Sequence, residues 1–220
     1  SRIRVGPEGE VAIEGPAVTL SGAIEAPAGK IEVTGTGVGL EANEPALTLT
    51  GSAKLTARGC NLPLDETPTS GLLPSYEILD GGSINLSAVG NLAIQDGALV
   101  DVSAEAPVPV DIALGDRSYR RRRLAGEPGR VNLAFNGEMT IDGRLQGRSS
   151  QAGSRGGELF IENESVSVPL KVSAPLINDS LAGGFDVLTL KSYDSVKFTA
   201  SLDSAFGRRL TIDAPRIEAE

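Results

Sequence analysis

The chain has no histidine and no tryptophan, a single cysteine and a single methionine, and aromatic residues make up 4% of it. Without histidine it lacks the commonest general base, the usual hydrolase triad and most transition-metal sites. Cys60 alone can form neither an internal disulfide nor a zinc set. No stretch has the apolar length of a transmembrane helix, so no membrane insertion is expected. No secretory signal precedes Ser1, and the chain opens without Met in repeat-like material, which we read as a piece of a longer protein. Basic residues are also outnumbered: a net charge of −9 argues against nucleic acid as a partner, because phosphate contacts need a basic face. The acids are scattered singly, the pattern of a solvated surface that keeps a sheet soluble.

What is abundant is glycine, 27 residues in 220, together with Ala, Val, Leu and Ile in short alternating runs. Small and β-branched side chains suit a narrow, regularly stacked interior. The clearest passage is Gly81 to Ala104. Ser83 to Ala88, Asn91 to Gln95 and Leu99 to Ser103 each place an apolar residue at every second position, the period of half-buried strands. Only Val89-Gly90 and Asp96-Gly97 separate them, so three strands and two bends make one turn of a coil. Ile84, Leu86, Leu92, Ile94, Val100 and Val102 are expected to face its interior.

A unit this small cannot bury its apolar side alone and must stack on copies of itself. Copies open at Gly129, Gly157 and Gly184, spaced 28 and 27 positions apart (157 minus 129, 184 minus 157). From Arg2 to Arg58 further short runs follow, with Pro7, Pro16, Pro27 and Pro45 at their boundaries, where a missing amide donor removes no sheet hydrogen bond. Two stretches break the rhythm and are expected to be loop insertions: 60–76, with Pro63, Pro68 and Pro74, and 105–128, which holds the arginines. Leu62, Leu64, Leu72 and Leu73 are candidates to fold back over a sheet. No segment has a helical period of useful length, so very little helix is expected. Residues 1–220 are expected to be one elongated domain.

The wording of the copies is similar to a known family. Gly183-Gly184-Phe185-Asp186, the strand running from Asp194 to Phe198, the turn Gly207-Arg208 and then Leu210-Thr211-Ile212-Asp213-Ala214-Pro215 resemble repeats of large filamentous haemagglutinin-like proteins. These are two-partner-secretion exoproteins of Gram-negative bacteria. Gly81 to Ala88, followed by Gly97 and Val100 to Ser103, resembles the same wording, and the likeness is carried mainly after Pro74. The resemblance implies an all-β fold, a single right-handed parallel β-helix (β-solenoid) with loop insertions. It also implies export through an outer-membrane barrel transporter, a secreted or cell-surface location, and a role as adhesin or rigid stalk. No counterpart of the family's Asn-rich export motif or of a C-terminal toxin is visible. The family supplies no catalytic residues to transfer, so neither an enzyme nor a cofactor is expected.

Four features are weighed as sites. Arg117, Arg120, Arg121, Arg122 and Arg123, with Arg130 beyond, form a basic cluster in an acidic chain. Planar guanidinium donors suit the sulfate or carboxylate of an anionic glycan on a host surface or receptor. The alternative is a solvated loop, or one pairing locally with Asp111, Asp116 and Glu127. Asp101, Asp142 and Glu162 would have to stack in successive coils to act as the carboxylates of a polysaccharide lyase or hydrolase. Isolated outward acids are the default. Cys60, after Arg58 and Gly59, is either a low-pKa thiol or an inert one. Phe135, Phe160, Phe185, Phe198 and Phe206 are expected to fill the interior or cap corners. The functional expectation is a non-catalytic stalk or adhesin segment. The alternatives are the stalk of a contact-dependent growth-inhibition toxin, a glycan-binding module at the arginine insertion, and a polysaccharide-acting enzyme.

Overall fold

The computed structural model describes residues 1–41, 44–64, 73–115, 118–199 and 207–219, and it is a largely parallel, repetitive all-β structure of the stacked-coil kind. The longest sheet has seven strands, Glu10–Gly15, Lys30–Gly35, Ser83–Ala88, Arg130–Phe135, Gly157–Asn163, Phe185–Ser192 and Arg209–Asp213, every neighbouring pair parallel. A second face stacks Val18–Leu20, Pro45–Leu49, Asn91–Ile94 and Met139–Ile141. The third stacks Arg2–Arg4, Ala23–Glu25, Lys54–Thr56, Leu99–Asp101 and Arg144–Gln146.

Alternation decides which side chains go in. Val11, Ile31, Ile84, Val131, Leu159, Leu188 and Leu210 form one inward row of the long face by register. The row Ile13, Val33, Leu86, Leu133, Ile161, Leu190 and Ile212 runs beside it. Leu47, Leu92 and Ile94 from the second face and Leu55 and Val100 from the third meet these rows in one apolar core. All six interior residues expected in the Gly81–Ala104 coil are buried. Full burial of each Leu or Ile side chain is worth about 1.5–3 kcal/mol. Outward, the long face carries pairs between coils. Lys30 Nζ lies 3.2 Å from Glu10 of the coil before it and 2.8 Å from Glu32 on its own strand, Lys191 Nζ lies 2.7 Å from Glu162, and the Asn132 amide donates to Asn85 Oδ1 at 2.5 Å.

The bare coil is shorter than the glycine spacing suggests. Glu10 pairs with Lys30, a step of 20 residues, whereas Arg130 pairs with Glu158, a step of 28. The 27- and 28-residue intervals are therefore a coil plus inserted residues. The inserts mostly leave at one place, the corner between a third-face strand and the next long-face strand. In the first two coils that corner is a four-residue turn, Gly6-Pro7-Glu8-Gly9 and Ala26-Pro27-Ala28-Gly29, closed by the Gly9 N–H on Gly6 O and the Gly29 N–H on Ala26 O. Proline presets the second position, and Glu8 and Ala28 take positive φ of 57° and 54° at the third. The closing glycine recurs in the later coils because the coils touch there. A Cβ on Gly29 would lie 2.0 Å from Gly9 O, one on Gly82 1.8 Å from Gly29 O, and one on Gly129 1.8 Å from Gly82 O.

Both expected loop insertions contain antiparallel hairpins. Cys60–Pro63 pairs with Tyr76–Leu79, and Val108–Gly115 with Ser118–Leu124. Of the leucines expected to cover a sheet, Leu64 is exposed and Leu72 lies outside the described residues. A third, shorter insert, 147–156, leaves from the same corner one coil later.

Helix is scarce among the described residues, as expected, but one segment departs from the reading that none has a useful helical period. Ala174–Ala182 is a helix, with the Ser173 hydroxyl accepting the Leu176 N–H at 3.3 Å, Pro175 in its first turn, and Gly184 at φ +92° beyond its end. It falls where a third-face strand would come, between Leu170–Val172 and Phe185–Ser192, and packs on Arg144–Gln146 with Ile177 fully buried. The third face stops there, and Leu170–Val172, Val196–Phe198 and Ile217–Ala219 form a separate parallel sheet.

Candidate functional site

The corner that carries the insertions gathers most of the unusual chemistry of the chain. Because the hairpins leave from successive coils, they stack on each other. The Asn61 amide donates to Ala106 O at 2.8 Å and the Leu73 N–H to Asp111 Oδ2 at 3.0 Å, joining the first hairpin to the second. The Glu127 N–H donates to Asp80 Oδ1 at 2.7 Å, tying their bases. On the far side the Gln151 amide donates to Arg123 O at 3.3 Å, so the 147–156 insert closes the row.

Strand alternation divides the arginine cluster. Arg121 stands opposite Asp111 and Arg123 opposite Pro109 on one face, while Arg120 stands opposite Ile112 and Arg122 opposite Val110 on the other. The first face is satisfied locally. Arg121 Nε donates to Asp111 Oδ1 at 3.1 Å and the Arg123 guanidinium to Pro107 O at 3.3 Å. The Arg121 hydrogen bond, with that of the Leu73 N–H behind it, holds the Asp111 carboxyl below the usual aspartate range. Arg120 and Arg122 are exposed and make no hydrogen bond or ion pair with a described residue. Arg117 and Asp116 lie outside the described residues. Arg130 belongs to the long face, where it pairs with Glu158.

At the foot of the hairpin lies an open cavity of about 340 Å³, with Arg58, Asp101, Ser103, Gln146, Arg148 and Ser150 in its wall beside Ala104, Ala106 and Pro107. It is built by the third face: extending the register by two residues stacks Arg58, Ser103 and Arg148 in three successive coils, next to Thr56, Asp101 and Gln146. Asp101 is buried and its Oδ1 accepts the Ser103 N–H at 2.9 Å. The Arg148 N–H donates to Ser103 Oγ at 3.0 Å, and the Arg148 guanidinium reaches Ala182 O at 3.4 Å. The sequence gives no direct sign of this cavity. Its members are distant along the chain, and only the coil step, once known, brings 58, 103 and 148 into line.

The three carboxylates weighed for catalysis are not brought together. Asp101 is on the third face, Asp142 follows the second-face strand Met139–Ile141, and Glu162 is on the outer side of the long face, paired with Lys191. Asp101 also departs from the expected outward, solvated setting, because the insertions cover it. Among the described residues no group of three or more His, Cys, Asp or Glu could hold a metal ion. The Cys60 thiol is pushed up by burial and by the charges of Glu105, Glu8 and Glu77, the opposite of an activated thiol. Phe135 and Phe185 are interior as expected, and Phe198 is half-buried against the core. Phe160 alternates outward between the buried Leu159 and Ile161, and Phe206 lies outside the described residues. Comparison of the whole chain with known proteins finds no matching family model, no matching curated protein and no matching solved structure.

Proposed function

We propose that this chain is a segment of a right-handed parallel β-helix that serves as a non-catalytic stalk or adhesin module of an exported, filamentous haemagglutinin-like surface protein. The observation that carries the reading is the long face. Seven strands stack in parallel register over one apolar core, which the other two faces complete and which runs on from coil to coil. Such an array propagates along one axis, which is what a rod that holds a tip away from a cell requires. The composition suits passage through an outer-membrane barrel transporter. With one cysteine no disulfide can lock a fold before export, and coils can form one after another as the chain emerges. The same rod would serve as the stalk of a contact-dependent toxin. Catalysis has no support in the separated positions of Asp101, Asp142 and Glu162.

The test is export. Placed downstream of a two-partner export domain and expressed with its transporter, the chain should become accessible to antibody and protease on intact cells. Retention inside the outer membrane, with the export domain alone still reaching the surface, overturns the proposal.

A second reading, an anionic-glycan contact on the arginine hairpin, rests on Arg120 and Arg122, exposed on one face of the hairpin and without an ion-pair partner among the described residues of an acidic molecule. Exposed charges are screened over about 8 Å at physiological salt, so retention on a heparin column should weaken steeply with salt. Arg120→Ser with Arg122→Ser should abolish it, and flow-through of the wild-type chain at low salt refutes it.

A further inference from the structure

We infer that the cavity at the foot of the hairpin is a binding pocket for an acidic sugar, a saccharide unit carrying one carboxylate or sulfate, recognised through Arg58, Ser103 and Ser150. This site is separate from the exposed face of the arginine hairpin and does not depend on the stalk role.

Buried polar atoms nearly always find partners, so those that lack one mark where something else sits. Among the described residues four buried side-chain N or O atoms have none: Arg58 Nε, Asn61 Oδ1, Ser150 Oγ and Asp186 Oδ1. Of these, Arg58 and Ser150 both line this one cavity. Asp101 does not satisfy Arg58: its Oδ2 is 3.8 Å from Arg58 Nε, beyond hydrogen-bond range, while Oδ1 is committed to the Ser103 N–H. The other Arg58 contact, to Ala104 O, is a long 3.5 Å. The Arg58 side chain is 43% exposed, but its Nε–H is buried and unpaired and calls for an acceptor, and an anionic one makes the stronger bond.

Charge and size narrow the class. The charged groups of the wall are Arg58, Arg148 and Asp101, two cations to one anion, which favours a single negative charge on the ligand. About 340 Å³ is more than a bare carboxylate or sulfate fills and lies within the range of small-molecule sites. The uncharged polar part of the lining is hydroxyl and amide, Ser103, Ser149, Ser150 and Gln146, and Asp101 Oδ2 can accept a hydroxyl. Ala104, Ala106 and Pro107 complete the wall, so hydroxyl and amide groups stand beside a small apolar patch, a lining that suits a sugar ring with its hydroxyls on one side and C–H groups on the other.

The experiment is a titration of the full chain, followed by backbone amide NMR, with methyl glucuronide, with galactose 6-sulfate and with glucose as the neutral control. Saturable shifts centred on Ser103, Arg148 and Ser150 with one or both acids, and none with glucose, are expected, and the acid that responds identifies the head group. Arg58→Gln and Ser150→Ala should each weaken binding about tenfold or more, the loss of one charge-assisted or buried hydrogen bond. Arg120→Ser with Arg122→Ser should leave it unchanged. Circular dichroism of each variant keeps a folding defect from passing as lost binding, and Ser150→Ala removes a buried hydroxyl that bonds to no described residue, so its loss should leave the fold intact. No saturable shift with either acid, an equal response to glucose, or loss only in the hairpin variant overturns the pocket. The last outcome would leave the hairpin reading standing.

Discussion

Gly82 sits where the Gly29 carbonyl of the coil below would lie 1.8 Å from any Cβ, and the Gly129 position repeats the contact one coil on. The atoms in the way are backbone on both sides, so neither can yield without separating the coils. Gly82→Ala is therefore expected to cost at least ~2 kcal/mol and lower Tm by roughly 4–8 °C for a chain of this size. Thermal melting followed by circular dichroism checks it, and an unchanged Tm would mean that the corner relaxes. Ile84 and Asn85 are adjacent but on opposite sides of the same strand, the first fully buried and the second hydrogen-bonded to Asn132 on the outside. Ile84→Asp puts a carboxylate into an apolar core with no partner and should unfold the chain or lower Tm sharply. Asn85→Asp keeps the acceptor that Asn132 uses and should shift Tm by no more than a few degrees. Equal effects of the two would place the register the wrong way round.

Among the elements, the hairpin Val108–Leu124 and the helix Ala174–Ala182 behave differently from the stacked strands. The hairpin docks on its neighbour through Asp111, which joins Arg121 and the Leu73 N–H. Asp111 has a carboxyl pKa depressed by these bonds, so the stabilisation they give is present above the unfolded value and is lost as pH falls through the folded one. With an ordinary aspartate near 3.9, amide protection of residues 108–112 and 119–124, corrected for intrinsic exchange, should fall below about pH 4. The strands of the long face should keep theirs at the same pH. In Arg121→Gln the hairpin should lose protection already at neutral pH, and equal protection in the variant would remove this pair from the docking. For the helix, Ser173→Ala removes the cap and should cost about 1 kcal/mol, read as faster amide exchange across 174–182. The helix had left sequence signals: a cap serine, a proline two residues on and the Gly183-Gly184 stop. They do not stand out in the sequence, because nine residues carry little periodicity and the double glycine also opens the next strand.

Taken whole, the molecule separates a repetitive stack from the crest of insertions at one corner. The Gly129 N–H bonds to Val102 O and the Arg130 N–H to Gly82 O, so the stack closes across the hairpin without using it. Replacing residues 107–125 by a short Gly-Ser turn should leave the β-type circular dichroism and an elongated scattering profile intact, with Tm changed by no more than a few degrees. A collapse of the β-signal would show that the hairpin supports the coils. The sequence by itself determined the stacked strands of the Gly81–Ala104 coil and its copies and the inward apolar rows that they share. Period-two alternation is a local property, and prolines and glycines mark its ends wherever they fall. Only the tertiary structure decided the true 20-residue step, the division of the arginines between two faces and the alignment of Arg58, Ser103 and Arg148 around a cavity. Those depend on how inserts of different length are absorbed at a corner, and the length of an insert says nothing about which residues it leaves opposite one another.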